Sequence, residues 1–223
     1  MPYAFSQASS ATSSTAATLT TSYFANPTKV GSLVVFSFVL SGITETLSSV
    51  TDSAGNAYVI SSPVDNTVRT YQVYGVQVAS ATTISYTKSA AVLTAYSGAL
   101  VFLGAKNNNA NTFHLTSTGT GATVAMNVTL FSPTTGNLVV ATYGTNGVKT
   151  TTAGTGFTNG INQGAGSFVG SIYELVSIPP ENCPASFTTA ANWSGIAMSF
   201  NPTPLPVKSF RGMRVAVRRA SFI

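Results

Sequence analysis

Ser32-Leu-Val-Val-Phe-Ser-Phe-Val-Leu40 decides the fold. The run is short, mostly apolar, and rich in β-branched and aromatic residues, which suits a strand better than a core helix. Successive side chains of a strand point to opposite faces, so a strand wet on one side alternates apolar with polar. This stretch does not alternate. It predicts a strand covered on both faces, or one at the centre of a sandwich.

Outward from that strand the punctuation is that of an all-β chain. Val50-Thr-Asp-Ser-Ala-Gly-Asn-Ala-Tyr-Val59 places Asp, Ser, Gly and Asn between two β-prone stretches, a hairpin signature. Further strands are predicted over Val68–Val78, Thr82–Thr87, Val92–Tyr96, Thr123–Leu130, Leu138–Tyr143, Phe168–Val176, Ala185–Thr189 and Ile196–Phe200. No stretch longer than ten residues carries a clean helical period. Charged residues are 7% of the chain, against about 25% in an average soluble domain, and Ser, Thr and Asn supply the polarity. The expected fold is a two-sheet antiparallel β-sandwich, jelly-roll-like, over residues 1–201, with an extended C-terminal arm over 202–223.

The chain also echoes itself. Asn26-Pro-Thr-Lys-Val-Gly-Ser-Leu-Val-Val35 is matched, one residue shorter, by Ser132-Pro-Thr-Thr-Gly-Asn-Leu-Val-Val140. Each copy leads to a later closing strand, Val92–Tyr96 or Ile196–Phe200. Proline followed by a glycine turn ends a loop and launches a central strand. The echo fits two small similar domains or two halves of one sandwich. The second is preferred, because either half alone has few strands with which to cover both faces of its core.

These motifs carry a resemblance. The order "PT-x(1–2)-G-x-LVV", "VTDSAGNAY", "ATTISYT" and "AYSG", followed by "SPTTGNLVVATYG", "AGTGFT", "YELV" and "WSGIAMSFNP", resembles a module of environmental bacterial proteins and phage genomes. The match covers roughly residues 4–202. It implies a jelly-roll or lectin-like sandwich and no particular activity. That family commonly has a more acidic second half; Glu174 is retained here in "YELV", and the basic extension lies outside the match.

Charge divides the chain unevenly. Glu45, Asp52, Asp65, Glu174 and Glu181 are balanced by Lys29, Arg69, Lys88, Lys106 and Lys149. The whole formal +5 therefore sits on Lys208, Arg211, Arg214, Arg218 and Arg219. Asn201-Pro-Thr-Pro-Leu-Pro206 has proline at every second position and reads as a stiff polyproline II spacer of about 3 Å per residue. Beyond it Phe210, Met213, Val215, Val217, Phe222 and Ile223 are interleaved with the cations, in a pattern open to either strand or helix.

A cationic arm fits phosphates, a membrane surface, or carboxylates on another protein. Nucleic acid is disfavoured because the arm has no Tyr or Trp to stack on bases and the body is neutral. Membrane adsorption is disfavoured beside the protein reading, in which arginines make bidentate contacts and the apolar residues fill pockets. Lys208, Phe210, Arg211, Met213, Arg214, Val215, Val217, Arg218, Arg219, Phe222 and Ile223 are thus the expected partner-binding residues.

Enzyme chemistry finds little to use. The one histidine, His114, has no nucleophile motif near it, and no Gly-x-Ser-x-Gly elbow occurs. The carboxylate pairs Glu174 with Glu181 and Asp52 with Asp65 have no glycosidase context. Asp52 with Asn56 is read as a turn clasp rather than a calcium site. No catalytic residue, metal or cofactor is expected. Tyr3, Tyr23, Tyr58, Tyr71, Tyr74, Tyr143 and Trp193, with the amides of Asn107, Asn108 and Asn109, leave glycan binding as a second reading.

The first twenty residues show neither a basic nor an apolar segment of a signal peptide, and Cys183 is the lone cysteine. The sequence therefore predicts a chain made in a host cytoplasm. The favoured expectation is a virion structural protein, a phage capsid decoration or appendage that binds capsid or tail proteins and forms a homo-oligomer, a trimer being one possibility. A carbohydrate-binding or host-adhesion module, on a fibre tip or cell surface, is the alternative.

Overall fold

The computed structural model describes residues 3–9, 12–105, 112–130, 136–147, 150–165, 167–175 and 181–202. Asn107–Asn109 and the arm from residue 203 onward lie outside them. The described residues form sixteen strands in three antiparallel sheets. The all-β sandwich expected from the sequence is present, but each half has two layers and a core of its own, in place of two halves sharing one two-sheet sandwich.

In the first half, β4 (Ser32–Leu40) lies between β10 (Ala95–Leu103) and β8 (Arg69–Val76). β1 (Ala4–Ala8) and β2 (Thr12–Ser14) flank β10, while β6 (Val59–Ile60) and β7 (Val64–Asp65) flank β8. A separate sheet, β3 (Thr18–Tyr23), β9 (Thr83–Lys88) and β5 (Leu47–Asp52), forms the second layer.

The second half repeats this order. β12 (Leu138–Asn146) lies between β16 (Glu181–Phe200) and β15 (Ser167–Glu174), with β11 (Phe113–Leu130) and β14 (Thr158–Ala165) outside. Here the second layer is made by the same long strands folding over. Met126, Val128 and Leu130 of β11 and Cys183, Ala185 and Phe187 of β16 pack on Val139, Ala141, Tyr143 and Ile172. β13 (Thr151–Ala153) pairs with β16 there, as β5 pairs with β9. Close approach requires glycine at the fold: a Cβ on Gly195 would stand 2.7 Å from the Tyr143 ring.

The registers of the halves superimpose. Leu33 pairs with Phe102, and Leu138 with Phe200. Val35 pairs with Tyr74, and Val140 with Tyr173. The outer strands even share an irregularity, between Phe5 and Gln7 in β1 and between Phe113 and Leu115 in β11. The glycine that launches each central strand has positive φ, 79° at Gly31 and 90° at Gly136, a conformation only glycine adopts cheaply.

The halves dock face to face through their larger sheets. Every residue of β4 is buried. Val34, Phe36, Phe38 and Leu40 point to the β3–β9–β5 layer, whereas Leu33 and Val35 point to Leu138, Val140, Met198 and Phe200 of the other half. The absence of alternation in residues 32–40 thus has its cause: both faces meet protein.

The junction is isologous, as in a two-fold dimer where residue i touches j and j touches i. Tyr74 stacks on Phe113 (centroids 5.4 Å, 13°) and meets Phe200 edge-on at 5.4 Å. Its counterpart Tyr173 stacks on Phe5 (5.3 Å, 13°) and meets Phe102 edge-on at 5.2 Å. The equivalent residues Ser37 and Thr142 hydrogen-bond each other at 2.7 Å, which places them at the pseudo-two-fold axis.

Candidate functional site

The carboxylates come first, because any acid–base, metal or cation-docking chemistry would run through them. Asp52 accepts hydrogen bonds from the backbone N–H groups of Ala54 (2.9 Å) and Asn56 (3.0 Å), from the Asn56 side chain (2.8 Å) and from the Tyr58 hydroxyl (2.9 Å). Burial, with the Asp52 charge alongside, pushes the Tyr58 hydroxyl far above its ordinary value. Asn56 in turn accepts from the N–H groups of Val78 and Ala79. Asp52 is the turn clasp expected from the hairpin signature, and its oxygens are occupied by protein donors.

Glu45 and Lys88 are both 3% exposed and meet at 2.7 Å. The N–H groups of Val92 and Leu93 each donate to Glu45 at 2.7 Å, and the Lys88 ammonium also donates to the Leu93 carbonyl at 2.6 Å. Burial alone would push the Glu45 carboxyl up. Lys88 and the two backbone donors outweigh that and hold it below the ordinary carboxylate range. Asp65 binds Arg69 through both oxygens, at 2.7 and 2.6 Å. Glu174, half-buried at the end of β15, is also engaged. Among the described residues no cluster of three or more His, Cys, Asp or Glu could hold a metal ion.

Most rings considered for sugar stacking are committed to packing. Tyr3, Tyr71, Tyr74, Tyr143 and Trp193 are all buried. Trp193 stands edge-on to Tyr143 and donates its indole N–H to Thr123. His114 falls in the bulge of β11.

What the sequence reading missed is a groove on one side of the junction between the halves. Val59, Ser61 and Ser62 form one wall; Phe113, Thr116 and Thr118 of β11 form the other; Tyr74, Ile196 and Met198 make the floor. Its cavity is about 210 Å³, and no charged residue lines it. β11 is an outer strand of its sheet here, bonded to β16 on one side. Beyond Phe200 the Asn201 N–H donates to the Thr112 carbonyl, and Pro202 bridges to Ala105, which does not line the groove.

The pseudo-symmetric position on the other side is filled. Ile161, 3% exposed, inserts from β14, and a Cβ on Gly98 would stand 2.9 Å from it. Aligning the two closing strands by their phenylalanines sets Gly98 against Ile196, a difference between the copies that the sequence does contain. Comparison of the chain with family models, with curated proteins and with solved structures returns no match.

Proposed function

We propose that this chain is a structural protein of a virus-like particle, most consistent with a phage capsid decoration or appendage. Residues 208–223 anchor it to capsid or tail proteins. One observation carries the reading: every carboxylate whose side chain the structure describes is already engaged within the body. A five-fold cationic arm therefore meets little countercharge on its own body and finds it on another molecule. The body suits display, because its stability comes from apolar layers rather than from surface charge. Repeated copies on a symmetric particle multiply a weak anchor, which also favours a homo-oligomer.

The test compares particles assembled with the full chain and with a chain ending at Pro202. The full chain is expected to co-sediment with particles and to be released as salt rises, since the contacts are ionic. The shortened chain is expected to stay folded and to remain in the supernatant. Equal incorporation of both chains would overturn the anchoring role.

A further inference from the structure

An edge strand leaves one row of backbone N–H and C=O groups without a partner, so edges are where β proteins meet other chains. Folded chains guard them by keeping them short, breaking them with bulges, or placing proline or charge on them. The described edges of this molecule carry such guards, with one exception. β6 and β7 are two residues each, with Pro63 between them and the Asp65–Arg69 pair alongside. β2 and β13 are three residues each. On β13 the Asn162 side chain occupies the N–H and C=O of Thr151, and the Asn159 side chain accepts from the N–H of Ala153. β1, β3, β5 and β14 are each broken by a shift of register and keep at most four consecutive rungs.

β11 is the exception. From Leu115 to Thr123 nine rungs with β16 follow without a break. That stretch holds no proline and no ionisable side chain. The Asn66 side chain donates to the Gly121 carbonyl at 3.1 Å, which leaves Leu115 to Thr120 as the open length.

The chemistry of this length suits a copy of itself. Thr116, Thr118 and Thr120 are exposed, and they share one face because side chains alternate along a strand. Laid antiparallel on its own copy about a two-fold axis at Thr118, the strand sets Thr118 against Thr118 and Thr116 against Thr120. Cross-strand threonine pairs are favourable, and with no charge on either strand nothing in the pairing repels.

The groove supplies a second argument. Val59 on β6 is part of one wall and Thr116 and Thr118 on β11 are part of the other, so it opens between two sheet edges, on the side where the copies would meet. Val59 is 40% exposed. Pairing on this side covers Val59 and the apolar floor of Ile196 and Met198, so backbone bonds and apolar burial act together.

We infer that two copies of this chain pair through β11, antiparallel and about a two-fold axis at Thr118, into a sheet continuous across the dimer. The interface is isologous. It gives the homo-oligomer favoured above a surface and a symmetry, and it stands whatever the arm meets.

The test is molecular mass by light scattering, in high salt so that contacts of the cationic arm are screened. The full chain is expected at twice its monomer mass. Thr118→Lys sets two like charges opposite each other at the axis and is expected at the monomer mass. Thr51→Lys, at an exposed position on the edge strand β5, should leave the dimer intact. A second reading does not depend on dissociation: mild oxidation should link two copies of the Thr118→Cys variant but not of Thr51→Cys, Cys183 being buried in both. The inference is overturned by a monomeric full chain, by an assembly that survives Thr118→Lys or that Thr51→Lys dissolves equally, or by Thr118→Cys linking no better than Thr51→Cys. None of these outcomes touches the salt-dependent particle test of the arm.

Discussion

The two halves of this chain share a strand order and a register but hold their second layers in different ways. In the first half that layer is three separate strands, β3, β9 and β5, tied back by side chains: the Glu45–Lys88 pair and the Asp52–Asn56–Tyr58 clasp. In the second half β11 and β16 run unbroken from one layer into the other, with Tyr143 donating to the Cys183 carbonyl across the fold. Both ion pairs found among the described residues belong to the first half. A backbone that continues between layers aligns them covalently. A backbone interrupted by loops, such as residues 89–94 between β9 and β10, needs polar locks to fix the same relation.

The junction is common to both halves, so the largest effects are expected there, and they should be symmetric. Tyr74→Ala and Tyr173→Ala each remove a ring that stacks on one phenylalanine and meets another edge-on. Large-to-small changes of buried aromatics cost about 3–5 kcal/mol, and lost ring pairing is part of that. Each variant should fall in that range by urea unfolding at constant m, and the double variant should not fold, since whole domains have only about 5–15 kcal/mol to lose. If one variant costs several kcal/mol and the other almost nothing, the isologous description of the junction is wrong.

Much of this duplication was legible. The continuous apolar run 32–40 announced a strand covered on both sides, and "LVV" after a proline–glycine turn announced its copy. Boundaries suffered where small residues interrupt the apolar signal. Val92–Tyr96 was expected where β10 continues through Ser97, Gly98 and Ala99 to Leu103, because glycine in a strand usually marks its end. Likewise Ala185–Thr189 and Ile196–Phe200 are one strand, β16, whose register with β11 slips between Ser186 and Ala191. β1, β2 and β3 were not among the expected strands, their Ser, Thr and Ala content giving little apolar alternation. The groove was illegible for another reason. It exists only where two sheets distant in sequence meet, and it depends on what Ile161 fills on one side and Ser61 leaves open on the other.

A smaller effect, confined to the first half, is expected from Lys88→Ala. It leaves Glu45 buried without its cation, which costs about 3 kcal/mol near neutral pH. In the native protein the Glu45 carboxyl is held below its ordinary range, so its contribution is present above the unfolded value and is lost as pH falls through the folded one. Without Lys88 only the Val92 and Leu93 N–H groups oppose burial, so the carboxyl rises from its native value and loses less on acidification. The stability gap between variant and native protein should therefore shrink on acidification below about pH 4. A gap that stays constant with pH would mean that Lys88 acts through packing of its aliphatic stem rather than through its charge.

The smallest effect separates a lock from an ornament. Asp65 and Arg69 make a bidentate pair, but Asp65 keeps 38% of its side chain exposed. Water and salt screen such a pair, and exposed ion pairs contribute about 0–1 kcal/mol. Arg69 has a second task, donating to the Glu45 carbonyl at 2.8 Å and so bracing the loop that carries Glu45 of the buried pair. Asp65→Asn should then cost under about 1 kcal/mol, with the loss fading at high salt. Arg69→Met should cost more and keep part of that cost in salt, because the carbonyl of Glu45 loses its donor. Equal, fully salt-sensitive losses in both variants would show that the surface pair is the whole effect and that the bracing bond contributes nothing.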